Sequence, residues 1–105
     1  MKVQFAVVPP GGGETDYIFD AEMPTLPNAG DYVFKRDFEE GQTPAWAAFI
    51  VRRRWFWPQE SEENNSILVE VEVARYAMES KSHKENCEMY EHRGNAVQRI
   101  QDSCF

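Results

Sequence analysis

Apolar and polar residues alternate along five short stretches of this chain, and that period of two restricts the possible folds more than any other feature. Successive side chains of a β-strand point to opposite faces, so such alternation is typical of a strand with one buried face. The clearest stretch, ILVEVEVA, begins at Ile67. We therefore predict five strands, at Val3–Val7, Tyr17–Met23, Tyr32–Arg36, Ala45–Trp57 and Ile67–Met78.

The segments between the predicted strands have the composition of turns and loops. Two of them, Pro9–Gly13 and Pro24–Asp31, are rich in proline and glycine, and Pro58–Ser66 is polar. A chain of 105 residues has room for one domain with one core. Five short strands in such a domain favour a small antiparallel sheet that bends strongly or closes into a barrel, because closure hides the strand edges.

The character of the sequence changes after Met78. Residues 79–105 are rich in Glu, Lys, Gln and Arg, and their sparse apolar residues have spacings that mostly suit a helix. Gly94–Asn95 is expected to break or kink this segment into one or two helices. The predicted fold class is mainly β (α+β): residues 1–78 form a small β-barrel domain, and residues 79–105 form a helical segment packed on it within one domain.

Three stretches, LPNAGDYVFKRD, AFIVRRRWFW and ILVEVEVA, resemble a pattern found in small uncharacterised bacterial and phage proteins. Those proteins carry a Pro-x-x-Gly-Asp-x-Val turn and strand, an aromatic and basic strand, and a valine-rich strand. They are similar to SH3-like small barrels, and the resemblance covers residues 24–77. It implies a five-stranded SH3-like barrel but no particular activity, because one fold supports many functions.

The stretch VRRRWFW, which begins at Val51, sets three arginines beside three aromatic residues. A surface for single-stranded nucleic acid combines basic and aromatic residues in this way. Alternation nevertheless divides the stretch between two faces. Arg52 and Arg54 share one face, where antiparallel pairing with the next strand predicts charge pairs with Glu72 and Glu70 respectively. We favour this ion-paired, solvated sheet face over nucleic-acid binding.

The opposite face of the same strand carries Arg53, Trp55 and Trp57, and the two tryptophans are predicted to fill the core. Arg53 then falls on the buried side, where a guanidinium needs a partner. Either a bulge turns Arg53 outward, or it caps the barrel mouth, or an acidic residue reaches it. Arg75 raises the same question. A structural ion pair is the favoured interpretation for both arginines, and a functional role is the alternative.

Composition restricts the kinds of partner and the location. The net charge is -7 and the sequence pI is about 4.8, which opposes non-specific binding to nucleic-acid phosphates. No apolar run approaches the ~20 residues of a membrane helix, and the first residues do not have the pattern of a signal peptide. We therefore expect a cytoplasmic protein.

The favoured function is a non-catalytic protein-interaction module, from a phage or mobile element, that binds a host or phage protein through acidic loops and an aromatic, charged sheet face. The aromatic residues of that face, expected to be exposed together, are Trp46, Phe56 and Tyr76. The full set of predicted binding residues is Trp46, Arg52, Arg53, Arg54, Phe56, Tyr76, Glu39, Glu40, Glu62 and Glu63. The alternative is a nucleic-acid-binding small barrel that uses Arg52, Arg54 and the aromatic residues near them.

No catalytic residue, metal or cofactor is predicted. Gly11–Gly13 lacks the Lys-Ser/Thr that follows the glycines of a phosphate loop. His83 and Cys87 would share a helix face, and His92 and Cys104 could complete a zinc set if the chain folded back, but the spacing matches no standard pattern. A nucleophilic Cys–His pair would lack an oxyanion hole and an orienting group. Reduced thiols are favoured over a disulfide, and the oligomeric state stays open.

Overall fold

The computed structural model describes residues 1–37, 44–56 and 67–101. Five strands and one helix follow each other along these ranges: β1 (Lys2–Val8), β2 (Tyr17–Glu22), β3 (Tyr32–Arg36), β4 (Trp46–Phe56), β5 (Ile67–Ala74) and α1 (Lys81–His92). The strands form one sheet in the order β2-β1-β5-β4-β3, which curls into a half-barrel. The predicted fold class, a mainly β, strongly bent five-stranded sheet with a C-terminal helical segment, is confirmed.

One pair of neighbouring strands differs from the antiparallel sheet that the sequence predicted. β1 runs parallel to β5, whereas the other three neighbouring pairs are antiparallel. Parallel neighbours need a long connection, and here β2, β3 and β4 all lie between β1 and β5 in the chain. Alternation of apolar and polar residues indicates which side of a strand is buried but not the direction of the neighbouring strand. The parallel pairing of β1 and β5 could therefore not be predicted from it.

The inner face of the curled sheet carries the main core. Its most buried members, at most 3% exposed, come from β1, β4 and β5: Val3, Phe5, Val7, Phe49, Val51, Val69, Val71 and Val73. Helix α1 covers this face with Cys87 and Tyr90, both almost fully buried. The Tyr90 hydroxyl also donates a hydrogen bond to the Asp16 carboxylate, which ties the helix to the turn before β2.

Helix α1 has a defined start and a defined end. At its start, the Ser80 side chain accepts a hydrogen bond from the His83 N–H at 3.1 Å, which satisfies a donor that the helix itself leaves unpaired. At its end, Gly94 has a φ of 91°, a conformation that favours glycine. The predicted break at Gly94–Asn95 is confirmed, and residues 95–101 continue without a helix. Within the described ranges, α1 is too short and too polar to span a bilayer.

Arg75 holds the connection between β5 and α1. Its guanidinium lies 2.9 Å from the Glu79 carboxylate and 3.0 Å from that of Glu91. The hydrogen bond to Glu79 is the main reason that the pKa of Arg75 is raised. The Ile100 N–H donates to the Arg75 carbonyl at 2.9 Å, so the end of the described chain returns to the sheet at the same point. The ion pairs of Arg75 are therefore structural, as the favoured interpretation expected.

Candidate binding groove

The two outer strands of the sheet, β2 and β3, lie on either side of a groove where the half-barrel is open. A cavity of about 360 Å³ lies in it, near the lower end of the ~300–1,000 Å³ range of small-ligand sites. We call it the mouth groove. Strands β2, β3 and β4, the residue after β3, and helix α1 contribute its lining residues, which are Tyr17, Phe19, Lys35, Arg36, Asp37, Ala47, Phe49, Ser82, His83 and Asn86.

Aromatic rings and a lysine meet in the mouth groove. The rings of Phe19 and Phe49 pack with centroids 5.3 Å apart. Lys35 reaches across from β3, and its Nζ lies 4.9 Å from the centre of the Phe19 ring. This cation–π contact draws the two sheet edges together. In residues 1–37, 44–56 and 67–101, no carboxylate forms an ion pair with Lys35, so its positive charge faces the groove without an acidic partner.

The carboxylate of the mouth groove, Asp37, is bound to the start of the helix. Its Oδ2 accepts hydrogen bonds from Ser80 Oγ at 2.5 Å and from Ser82 Oγ at 3.0 Å. A negative charge is also favoured there by the helix dipole. Arg36 adds a second positive charge to the same rim, with its guanidinium carbon 5.8 Å from the centre of the Trp46 ring. Among the described residues, the rim therefore carries the cations Lys35 and Arg36 and one carboxylate that is already hydrogen-bonded.

Tyr17 brings a hydroxyl to the opposite side of the mouth groove. Its oxygen accepts a hydrogen bond from Asn86 Nδ2 at 3.4 Å. Burial raises the pKa of Tyr17, and the bond from Asn86 offsets only part of that rise, so the phenol stays protonated at neutral pH. The described part of the chain offers no acceptor for the phenol proton. Tyr17 can therefore donate a hydrogen bond into the groove.

No strand of the described residues pairs with the outer backbone edge of β3, beside this groove. The Asp37 N–H donates to the Ala45 carbonyl at 2.9 Å, which shows that the odd-numbered positions of this segment bond to the β4 side. Hydrogen bonding alternates along an antiparallel strand, so the N–H and C=O groups of Tyr32, Phe34 and Arg36 point away from β4. Such an edge can pair with a further strand.

The outer face of β3 displays two aromatic rings. Tyr32 is 53% exposed and Phe34 is 40% exposed. The Phe34 ring packs on Tyr76, with centroids 4.8 Å apart. Tyr76 in turn packs against a small buried cluster on the outer side of the sheet, formed by Ala48, Ala74 and Ile100. The exposed edge is therefore both aromatic and firmly held in place.

The arginine run lies in a different part of the sheet, where β4 pairs with β5. A β-bulge precedes Arg53, and Arg52 is its extra residue. Arg52 Nε lies 3.0 Å from Glu70, Nη1 lies 2.9 Å from Glu72, and Nη2 donates to the Gly11 carbonyl at 3.3 Å. The hydrogen bond to Glu72 is the main cause of a raised Arg52 pKa. The predicted ion pair of Arg52 with Glu72 is confirmed, but the residue opposite Glu72 in the register is Ile50 and not Arg52.

The predicted register of β4 against β5 is wrong on both sides of the bulge, since Val51 lies opposite Val71 and Trp55 lies opposite Leu68. Arg53, and not Arg54, lies opposite Glu70, with Arg53 Nε 3.2 Å from the carboxylate. The Arg53 side chain is 53% exposed, so a bulge and an acidic partner together explain its position. The predicted Arg54–Glu70 pair is wrong: Arg54 lies opposite Val69, and its guanidinium lies 5.6 Å from the Phe56 ring. A bulge adds one residue to a strand and so exchanges its two faces.

The same exchange moves the aromatic residues of β4. The prediction that Trp55 fills the core is wrong, since its side chain lies opposite Leu68 and is 42% exposed. Phe56 is 60% exposed, but it ends β4 and has changed face, whereas Trp46 begins the strand and is half-buried. Trp46, Phe56 and Tyr76 therefore do not share one face as expected. Trp57 and the predicted acidic binding residues lie outside the described residues: Glu39, Glu40, Glu62 and Glu63.

A buried polar cluster joins β5 to α1. The ligand-type atoms of Glu79, His83 and Cys87 all lie within 4.8 Å of one another. The predicted common helix face of His83 and Cys87 is confirmed. His92, by contrast, is exposed, and Cys104 lies outside the described residues. Among the described residues, Glu79 is the group that lies beside this pair.

These three groups could hold a metal ion by type, but each is already engaged. Glu79 accepts hydrogen bonds from Arg75 and from the Tyr76 N–H. His83 Nε2 lies 2.8 Å from the Ala74 carbonyl and 3.5 Å from Cys87 Sγ. Burial raises the pKa of the Cys87 thiol to about 12, so a metal ion would have to displace a more firmly held proton than that of an ordinary cysteine. The cluster acts as a hydrogen-bonded link between sheet and helix.

Sequence reasoning did not single out the mouth groove. The groove depends on which strands are neighbours, and five alternating segments are compatible with several orders. One signal was present in β3, where alternation puts the charged Lys35 on the same face as Val33, which is buried. A cation on a buried face indicates either a partner or an opening in the core.

No protein-family model, no curated protein and no solved structure matches this chain. Its class therefore follows from its architecture: a small α+β protein with a half-barrel sheet that is open between β2 and β3.

Proposed function

We propose that this protein is a non-catalytic protein-interaction module that binds an extended segment of a partner protein along the outer edge of β3. The outer backbone edge at Tyr32 and Phe34 is the observation that carries the proposal, because no described strand pairs with it and two exposed aromatic rings lie along it. In strand addition, main-chain hydrogen bonds supply affinity, and alternate side chains supply specificity.

The charge on β3 favours a segment with an acidic residue. Lys35 and Arg36 lie together at the C-terminal end of β3, in a chain with a net charge of -7. An acidic side chain of the partner that lies beside this end would gain electrostatic complementarity and a fixed register. Tyr32 and Phe34 would then contact apolar side chains of the same segment on the outer face.

The remaining features of the expected function belong to the same proposal. Glu39 and Glu40 follow β3 directly in sequence, and Glu62 and Glu63 precede β5. These acidic residues stay candidates for contact with a basic part of the partner. A phage or bacterial origin, kinship with SH3-like barrels and a cytoplasmic location are proposed on the sequence resemblance and composition alone.

Nucleic-acid binding by the arginine run has less support. Arg52 is held by two glutamates, and Arg53 shares one of them. Binding to phosphates would have to replace these ion pairs in a chain that is acidic overall. An electrophoretic mobility assay with a labelled single-stranded oligonucleotide at low salt tests the alternative, and a shift there would favour it.

A random peptide display library, selected on the immobilised protein, tests the proposal. We expect enriched peptides to bind in fluorescence polarisation and to protect the Phe34 amide from hydrogen exchange. Phe34→Lys should weaken binding at least tenfold, because it removes an apolar contact and adds a charge at the edge. Phe56→Lys is the matched control, since it changes an exposed ring away from β3 and should leave affinity unchanged.

Two results would contradict strand addition at β3. One is an equal loss of affinity in both variants, and the other is amide protection confined to strands other than β3. Failure to enrich any peptide above an unrelated immobilised protein would also count against the proposal.

A further inference from the structure

We propose that the mouth groove is a binding site for a small organic monoanion with a flat apolar body, of which aromatic carboxylates are the simplest class. This inference does not depend on strand addition. The peptide edge consists of outward backbone groups of β3, whereas the mouth groove is built mainly from inner side chains of β2, β4 and α1.

The apolar part of such a ligand has a matching surface. Phe19, Ala47 and Phe49 line the groove together, and the two phenyl rings lie 5.3 Å apart at their centroids. Aromatic rings favour offset or edge contacts with another ring. A cavity of about 360 Å³ has room for one aromatic ring and its carboxylate. An aliphatic or much larger body would use this surface less well.

The anionic part has two donors on opposite sides of the groove. Lys35 Nζ has no carboxylate partner in the described ranges and sits above the Phe19 ring. Tyr17 keeps its phenol proton and accepts from Asn86, so its O–H is directed by a neighbour and lacks an acceptor among the described residues. A carboxylate offers acceptor oxygens to both donors, and bonds of this kind with a charged partner are the stronger ones.

The other charges of the rim favour a single negative charge. Asp37 contributes a carboxylate that is held by Ser80 and Ser82. Among the described residues of the rim, Lys35 therefore supplies a positive charge that no carboxylate pairs with. A cationic ligand would meet Lys35 at close range and be repelled, and a dianion would gain little more than a monoanion because Asp37 opposes the second charge.

Titration of the ¹⁵N-labelled protein with benzoate, followed by amide chemical shifts, tests the site. We expect saturable shifts at Phe19, Lys35, Ala47 and Asn86, with a dissociation constant on the order of 1 mM for so small a ligand. Benzylamine and benzyl alcohol, which keep the ring and change the charge, should bind at least tenfold more weakly. Equal shifts with all three compounds, or benzoate shifts that do not saturate, would overturn the proposal.

A charge reversal separates the groove from the rest of the surface. Lys35→Glu should weaken benzoate binding at least tenfold. Lys2→Glu is the control, because Lys2 is also exposed but pairs with Asp20 away from the groove, and it should bind as the wild type does. A well-dispersed spectrum confirms that each variant is folded. Benzoate affinity that is unchanged in folded Lys35→Glu would sink the proposal.

The variant Phe34→Lys distinguishes a failure of the benzoate site from a failure of the proposed peptide-binding function. Phe34→Lys should weaken peptide binding at least tenfold and leave benzoate binding intact, because Phe34 lies on the outer face of β3 and not in the groove.

Discussion

Arg52 Nη1 lies 2.9 Å from Glu72 Oε1, and the Glu72 side chain is only 4% exposed. The β-bulge makes this contact possible, because it frees Arg52 from the ladder and lets its guanidinium lie over the outer side of β5. The turn after β1 closes over the same guanidinium. Gly12 has a φ of 111°, and a Cβ there would lie 3.0 Å from Arg52 Nη2. Gly12, Arg52 and Glu72 are therefore closely packed around one guanidinium group.

Removing Arg52 should therefore cost far more stability than removing its neighbour. Arg52→Ala leaves the Glu72 charge buried without its partner, and we expect a loss of about 3–5 kcal/mol in the free energy of unfolding. Arg53→Ala should cost less than about 1 kcal/mol, because the Arg53 side chain is half exposed and Glu70 keeps its bond to Arg52. Urea denaturation at pH 7 measures both, and similar losses would contradict a bulge-centred ion pair.

Two serines at the start of α1, Ser80 and Ser82, allow a second paired comparison of stability. Ser80→Ala removes both the cap on the His83 N–H and a bond to Asp37, and should lower the free energy of unfolding by about 1–3 kcal/mol. Ser82→Ala removes only a bond to Asp37 and should cost less than about 1 kcal/mol. Denaturation followed by far-ultraviolet circular dichroism gives both values. A larger loss of stability in Ser82→Ala than in Ser80→Ala would contradict the assignment of Ser80 as the N-cap of α1.

Stability should fall at alkaline pH. Burial raises the pKa of the Cys87 thiol from 9.0 to about 12, so above pH 9 the unfolded chain releases a proton that the folded protein keeps. The corresponding stability is complete below pH 9 and is lost as the pH rises towards 12, with a slope of up to ~1.4 kcal/mol per pH unit. Burial also raises the pKa of Tyr90, and its bond to Asp16 adds to the rise, so a second loss begins above pH 10.

The variant Cys87→Ala separates these two contributions. Its free energy of unfolding should vary little between pH 9 and 10, where the wild type already declines, although its stability at pH 7 is lower because a buried side chain is shortened. Guanidinium denaturation at half-unit pH steps provides the curves. Parallel curves for the two proteins over this interval would show that the thiol does not cause the decline.

Zinc should not bind to the cluster of Glu79, His83 and Cys87 at neutral pH. The thiol is protonated, and the glutamate is held by Arg75, so a metal would have to displace both a proton and an ion pair. One equivalent of zinc should leave the thermal midpoint unchanged, and native mass spectrometry should show no 1:1 complex. A complex lost in Cys87→Ala but kept in Cys104→Ala would reveal a metal site in this cluster.

Much of the local structure was readable because alternation is a local property. The Val-Glu alternation of β5 indicated a strand with a buried face, and Val69, Val71 and Val73 are buried on the inner side as that pattern requires. Gly94 ended the helix where its conformational freedom predicted an end. Errors collected after Val51, where one inserted residue exchanged the faces of Arg53, Arg54 and Trp55. A bulge has no reliable signature in a single strand, because it is defined by the partner strand.

The sequence by itself determined the five strands, the helical segment with its break at Gly94, and the ion pair of Arg52 with Glu72. These features follow from side-chain periodicity, backbone freedom and charge burial within short segments. Only the tertiary structure decided that β1 lies parallel to β5, that β2 and β3 form the two edges of the described sheet, and that Tyr17 and Lys35 line the same groove. Those relationships join residues far apart in the chain, and the hydrophobic pattern of each segment is satisfied equally well by other strand orders.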